Sequence, residues 1–356
     1  MAGGPEGRPR RGALPRPGGR PPGAYAPGMT VRADELIDGA DLNGLLRLVG
    51  ALCASGEWDE LLDLADRCDD AIEQVKQLWP IAAHIEYRLA LEAPGDYAAG
   101  VLEPDAGRFA VGPLTEVVAF SHSWDELADF IEAPQTAAYV AQERVLRGED
   151  LRGDVRAHAE VLDLPLVLEP WEPTYALAAY KWDHVEVAEP WEPRVGLQER
   201  VEAPGPRVED PELETALLDL VGPWTSESNG VAATAAVEGG AACAAAHLTL
   251  GRLRMGTLEP AEAIQRMAWA AASGGAHGRR RGAALGRWMA WSVASLAAGL
   301  EWPAAGPDLV GGLAGLRFYR WDEGGPEEGW VLRLGLEHLE DGWAAALAAT
   351  DIAEEV

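Results

Sequence analysis

Residues 41–75 read DLNGLLRLVG ALCASGEWDE LLDLADRCDD AIEQV. Leu42, Leu45, Leu46, Val49, Leu52 and Cys53 recur at spacings of three and four, the period of one face of an α-helix. Asp41 stands where an N-cap acceptor is needed, and Ser55-Gly56 supplies a stop. A second stripe follows at Trp58, Leu61, Leu62, Ala65, Cys68, Ile72 and Val75, with Asp63, Asp66, Arg67 and Asp70 available for the opposite face. A break this short makes the two helices an antiparallel hairpin.

The same pattern extends in both directions. Pro80 suits the first turn of a third helix bearing Ile81, Ile85 and Leu89. Ser123-Trp124-Asp125-Glu126 is a capping box, and Pro134 opens a further helix through Val145. Downstream, 212–221, an Ala-rich stretch at 231–254, a helix capped by Thr257 and an apolar helix at 283–300 repeat the rhythm. Leu316–Trp321 and Trp330–Leu336 flank a turn-rich octet and form a β-hairpin, and Trp343–Ala353 is expected to close the chain as a helix. The expectation is therefore a mainly α fold: stacked antiparallel helix pairs, solenoid-like, in two lobes, with a small C-terminal β-hairpin.

One segment interrupts the rhythm. Glu169-Pro170-Trp171-Glu172-Pro173 recurs 20 residues later as Glu189-Pro190-Trp191-Glu192-Pro193. Residues before proline are pushed to extended backbone, so each copy is an extended kink. The resulting division is a basic tail at 1–28, an N-terminal helical lobe at 29–163, a Pro/Trp-rich connector at 164–211, a C-terminal helical lobe at 212–303, and the hairpin with its closing helix at 304–356. The tail carries Arg8, Arg10, Arg11, Arg16 and Arg20 against Glu6 alone and is rich in Pro and Gly, so it reads as an unstructured extension, with Met29 an alternative start.

The 356 residues carry 58 acidic against 29 basic side chains, a net charge of −29. Such a field repels nucleic acid and anionic membranes and suits a protein partner, especially a basic one. In 283–300, Arg287 leaves only 13 uncharged residues before Glu301, too few for the roughly 20 that cross a bilayer, so a buried core helix holding Trp288 and Trp291 is expected. Cys53, Cys68 and Cys243 form no CxxC and read as reduced thiols of a cytoplasmic protein. The pairs His84-Glu86, His158-Glu160 and His184-Glu186 have i, i+2 spacing, which places the two residues on different helix faces. No metal, cofactor or catalytic residue is assigned. No nucleophile elbow, phosphate loop or dinucleotide fingerprint occurs.

Tryptophan is the informative excess, 14 against 7 Tyr and 4 Phe. Trp171, Glu172, Trp182, Trp191 and Glu192 combine aromatic anchors with carboxylates and are the expected partner-binding residues. The competing reading makes each Trp a plug between helix pairs. The acidic helical body, together with the segment from Trp321 to Trp330 (WDEGGPEEGW), is similar to uncharacterised helical families of high-GC bacteria, a resemblance that implies no activity. The expected function is a non-enzymatic cytosolic interaction scaffold or adaptor. The alternatives are a carboxylate-dependent enzyme with a cleft between two lobes, and an acidic neutraliser of a basic protein.

Overall fold

The computed structural model describes residues 27–352, apart from 75, 103–109, 111, 188–195, 250 and 326. The chain divides into two compact units, one of residues 1–140 with 179–185, the other of 141–178 with 186–356. The arginine-rich segment 1–26 lies outside the described residues.

The first unit is helical. Its elements are α1 (Pro27–Asp38), α2 (Leu42–Ser55), α3 (Trp58–Glu73), α4 (Trp79–Glu92), α5 (Gly95–Gly100), α6 (Leu114–Ser121) and α7 (Trp124–Leu127); α8 (Pro134–Leu146) runs on into the second unit. Local chemistry sets the ends. The Asp41 carboxylate accepts from the Gly44 N–H at 2.9 Å, and Gly56, at φ 71°, donates its N–H to the Cys53 carbonyl at 3.1 Å. The capping box at Ser123 and Glu126 is present. Leu45, Val49, Leu52, Leu61, Leu62, Ala65 and Cys68 are all buried, so the stripes of α2 and α3 form the core between them.

The second unit overturns the mainly α expectation. It contains a six-stranded antiparallel sheet, so the fold is mixed α/β rather than helix pairs with one hairpin. A separate two-stranded hairpin, β1 (Ala178–Tyr180) with β2 (Val185–Val187), carries the 179–185 segment that belongs to the first unit. The large sheet has the order β3-β5-β6-β7-β8-β4, with β3 Gln198–Arg200, β4 Val231–Glu238, β5 Leu253–Leu258, β6 Leu316–Asp322, β7 Trp330–His338 and β8 Trp343–Asp351. The helices of this unit are α9 (Pro211–Asp219), α10 (Gly222–Ser226), α11 (Ala241–Ala245), α12 (Pro260–Ala272), α13 (Ala283–Ala297) and α14 (Gly306–Leu313).

Two expected helices are strands. The Ala-rich 231–254 is β4, α11 and the start of β5, and the expected closing helix is β8. The reason lies in burial. β8 is paired on both sides and Ala344, Ala345, Ala346 and Leu347 are all buried, so the apolar/polar alternation that marks a half-exposed strand is absent. Alanine faces alanine across the β4–β8 pair at Ala232/Ala349, Ala233/Ala348, Ala235/Ala346 and Ala236/Ala345. Alanine's helix preference, a fraction of a kcal/mol per residue, yields to these pairings and to packing. The expected hairpin exists as β6–β7, with Phe318 opposite Leu336. Thr257 lies in β5, and α12 is capped instead by the reciprocal pair Glu259 and Glu262.

Small side chains let helices sit close to the sheet. α11 packs on the face lined by Val237, Met255, Trp321, Ala344 and Ala346. Ala346→Leu should therefore overpack this layer and cost about 1–3 kcal/mol, read as a lowered urea midpoint. Burial also pushes the Cys53 thiol up to about 11 and the Cys68 thiol up to about 12. At pH 8 both should resist iodoacetamide in the native protein while half-buried Cys243 labels first. Below the ordinary thiol value of 9.0 both states hold the protons; above it the unfolded chain ionises first, so stability falls between pH 9.0 and about 12.

Candidate functional site

The two halves of the first Glu-Pro-Trp-Glu-Pro copy are built into the second unit. Glu172 and Arg287 of α13 form an ion pair at 2.6 Å with both side chains 0% exposed. Two charges removed from water need complete hydrogen bonding, and both have it. Glu172 Oε1 accepts from the Glu169 N–H at 2.9 Å and from Arg287 Nη2; Oε2 accepts from Tyr175 Oη at 2.6 Å, Arg287 Nε at 2.8 Å and Trp291 Nε1 at 3.0 Å. The other Arg287 donors reach Gln142 Oε1 at 2.6 Å, the Pro165 carbonyl at 3.0 Å and the Val167 carbonyl at 3.1 Å. All five guanidinium N–H groups are thereby used. Trp171 packs its ring 5.0 Å from that of Trp291, and its Nε1 is shut away from solvent. Burial first, then the Glu172 charge, lifts the Tyr175 hydroxyl well above its usual range, against the opposing Arg287 charge. Glu172 has no surface left to offer.

Trp191 and Glu192 lie outside the described residues. Trp182 stands apart from all of these. It belongs to the first unit and is 59% exposed, at the turn between β1 and β2. The turn is pinned on both sides. Tyr180 Oη donates to Glu116 Oε2 at 2.7 Å, Tyr87 Oη donates to the Lys181 carbonyl, and the Lys181 N–H closes on the His184 carbonyl at 2.8 Å.

Trp182 and Asp183 border a depression of about 460 Å³ whose other walls are Leu46 and Gly50 of α2 and His84 and Arg88 of α4. His84 and Arg88 are four residues apart, hence on one helix face. Arg88 is 8% exposed and holds Glu92 with Nε and Nη2, both at 2.8 Å. Its guanidinium carbon lies 6.0 Å from the Trp182 ring centre, a cation–π contact. Nη1 has no acceptor among the described residues. Burial first, then the Arg88 charge, holds the His84 imidazole below its usual value and keeps it neutral at pH 7. The depression thus presents an indole face, an aliphatic wall, guanidinium N–H donors and one rim carboxylate. Sequence reasoning picked out Trp182 and missed Leu46, Gly50, His84 and Arg88. Leu42 and Leu46 are exposed although their spacing places them in the expected core stripe, and half-buried Gly50, one turn further on, lay outside that stripe.

A model of a family of unknown function, DUF6183, matches residues 43–353. The chain belongs to the DUF6183 family. No curated protein and no solved structure matches it. In this DUF6183 chain the match spans both units, from within α2 through the last strand.

The acidic cluster at the β6–β7 tip of the DUF6183 chain is paired internally. At the β6–β7 tip, Arg254 holds Asp322 through two bonds of 2.6 Å, Arg333 meets Glu323 and Glu327, and Arg320 meets Glu327. Arg281 of the arginine triplet donates to the carbonyls of Ala271 and Asp219, at the ends of α12 and α9. Among the described residues no three His, Cys, Asp or Glu side chains gather as a metal site, and no helix is long and apolar enough to cross a membrane.

The buried pair makes a sharp stability prediction. Glu172→Gln leaves Arg287 buried without its counter-charge and should cost about 3–5 kcal/mol in chemical denaturation. Replacing both with apolar residues, Glu172→Leu with Arg287→Met, should recover much of that loss. Equal loss in the single and double variants would contradict the arrangement described.

Proposed function

We propose that this chain is a non-enzymatic cytosolic interaction module that docks a protein partner at the Trp182 depression of its first unit. The observation that carries the reading is a large aromatic side chain held out to solvent by a turn that is itself anchored at Tyr180 and Lys181. An anchor already ordered in the free protein loses little conformational freedom on binding, which is how a single aromatic residue comes to dominate an interface. Singly exposed apolar residues such as Val155 carry no comparable construction.

Charge supports a basic partner. Helix α3 alone carries Asp59, Glu60, Asp63, Asp66, Asp69, Asp70 and Glu73 against Arg67. Two buried carboxylate side chains elsewhere are held by donors of their own unit. Glu172 is one case; Asp351, which accepts from Ser228 Oγ at 2.9 Å and the Ala276 N–H at 2.6 Å, is another. This favours binding over carboxylate chemistry. The unpaired thiols suit a reducing compartment.

Affinity purification at native expression level tests the reading. The wild-type chain should recover a stoichiometric partner that Trp182→Ala loses and Val155→Ala keeps, with recovery falling as salt is raised. No stoichiometric partner, or one indifferent to Trp182→Ala, would overturn it.

A further inference from the structure

Helix α2 holds two interior glycines, and only one has a packing reason. A Cβ on Gly44 would collide with the Leu36 and Asp41 side chains, so the N-terminal turn of α2 needs glycine there. A Cβ on Gly50 would meet nothing within 4 Å. Glycine in a helix interior is about 1 kcal/mol less favourable than alanine, so Gly50 weakens α2 without relieving any clash. What it does is leave open the wall of the depression that Trp182 borders.

We propose that the space left by Gly50 receives one large apolar side chain from a lysine- or arginine-rich segment of the partner. This rests on the docking reading above and names what enters the site. The side chain lies against Leu46 and the Trp182 ring. A backbone carbonyl of the same segment accepts from the Arg88 guanidinium, which lines the depression and whose Nε and Nη2 hold Glu92. A neighbouring cation meets Asp183 at the rim, beside the Oδ1 that contacts His184 Nδ1 at 2.7 Å. Arg88 already stacks on Trp182, and its positive charge draws on the indole π-density; the ring therefore favours an apolar or aromatic group over a second cation. The partner's cations belong at the carboxylates, and its apolar residue belongs in the hole.

Gly50→Leu is the decisive variant because it fills the hole from within, and α2 tolerates it: the melting temperature should stay level or rise. The probes are three short amidated peptides, one lysine-rich with a central phenylalanine, one identical but with alanine at that place, and one with glutamate replacing every lysine. Fluorescence anisotropy on the full chain should show the phenylalanine peptide binding about tenfold tighter than the alanine peptide, with the glutamate peptide weakest. In Gly50→Leu and in Trp182→Ala the tenfold preference should vanish while the weak, salt-sensitive binding of the alanine peptide persists. A phenylalanine preference that survives Gly50→Leu, equal binding of the phenylalanine and alanine peptides to the wild type, or glutamate binding as tight as lysine would each overturn the proposal. Loss of a cellular partner on Trp182→Ala alongside equal peptide binding would leave docking standing and refute only this occupant.

Discussion

The Glu172 carboxylate and the Arg287 guanidinium are both removed from water, and that placement governs what surrounds them. An ion pair in this position is tolerated only when every donor and acceptor is matched, because desolvating the two charges offsets most of their attraction. The match draws in Glu169, Tyr175, Trp291, Gln142 and the carbonyls of Pro165 and Val167. A proline-rich stretch with no regular secondary structure is thereby fixed against α13 and the end of α8. The neighbouring Glu143 continues the seam, accepting the Ala284 N–H at the start of α13 at 2.6 Å. Specific geometry, more than net stabilisation, is what such a pair contributes.

The pair also sorts the tryptophans. Trp291 donates to Glu172, and Trp171 lies against Trp291, so the Glu172 and Trp171 side chains of the first pentapeptide copy are engaged within the second unit. Trp182 follows another logic. Its neighbours in the chain are bonded to buried partners, and the indole is left at the surface, bordering the depression that Gly50 also lines. Both tryptophans lie in one 12-residue stretch of similar composition, yet one is structural and the other is presented.

Helices were legible where one face is buried and the other solvated. The stripes of α2 and α3, the Asp41 cap, the Gly56 stop and the Ser123 capping box were all readable because each is a local pattern with a local cause. The central strand β8 was not. A strand buried on both faces loses its two-residue alternation, and when it is built of alanine its composition argues for helix. Its identity is decided by β7 and β4, one of them more than a hundred residues away in the chain. Of the candidate site residues, no local pattern separates exposed Trp182 from half-buried Trp171, and the burial of the Glu172 side chain was equally unreadable locally. The signal that pointed to it was Arg287: one charge within an otherwise apolar helix demands a carboxylate, and the residues flanking Trp171 supply one.

The most direct measurement is hydroxyl-radical footprinting of the native chain, with each tryptophan followed by mass spectrometry. Trp182 should be oxidised fast, half-buried Trp171 more slowly, and Trp291, which is 0% exposed, should stay protected until the protein is unfolded. Rapid oxidation of Trp171 with Trp182 protected would contradict the account, since it would free the Glu172 segment from Arg287 and close the surface on which docking depends.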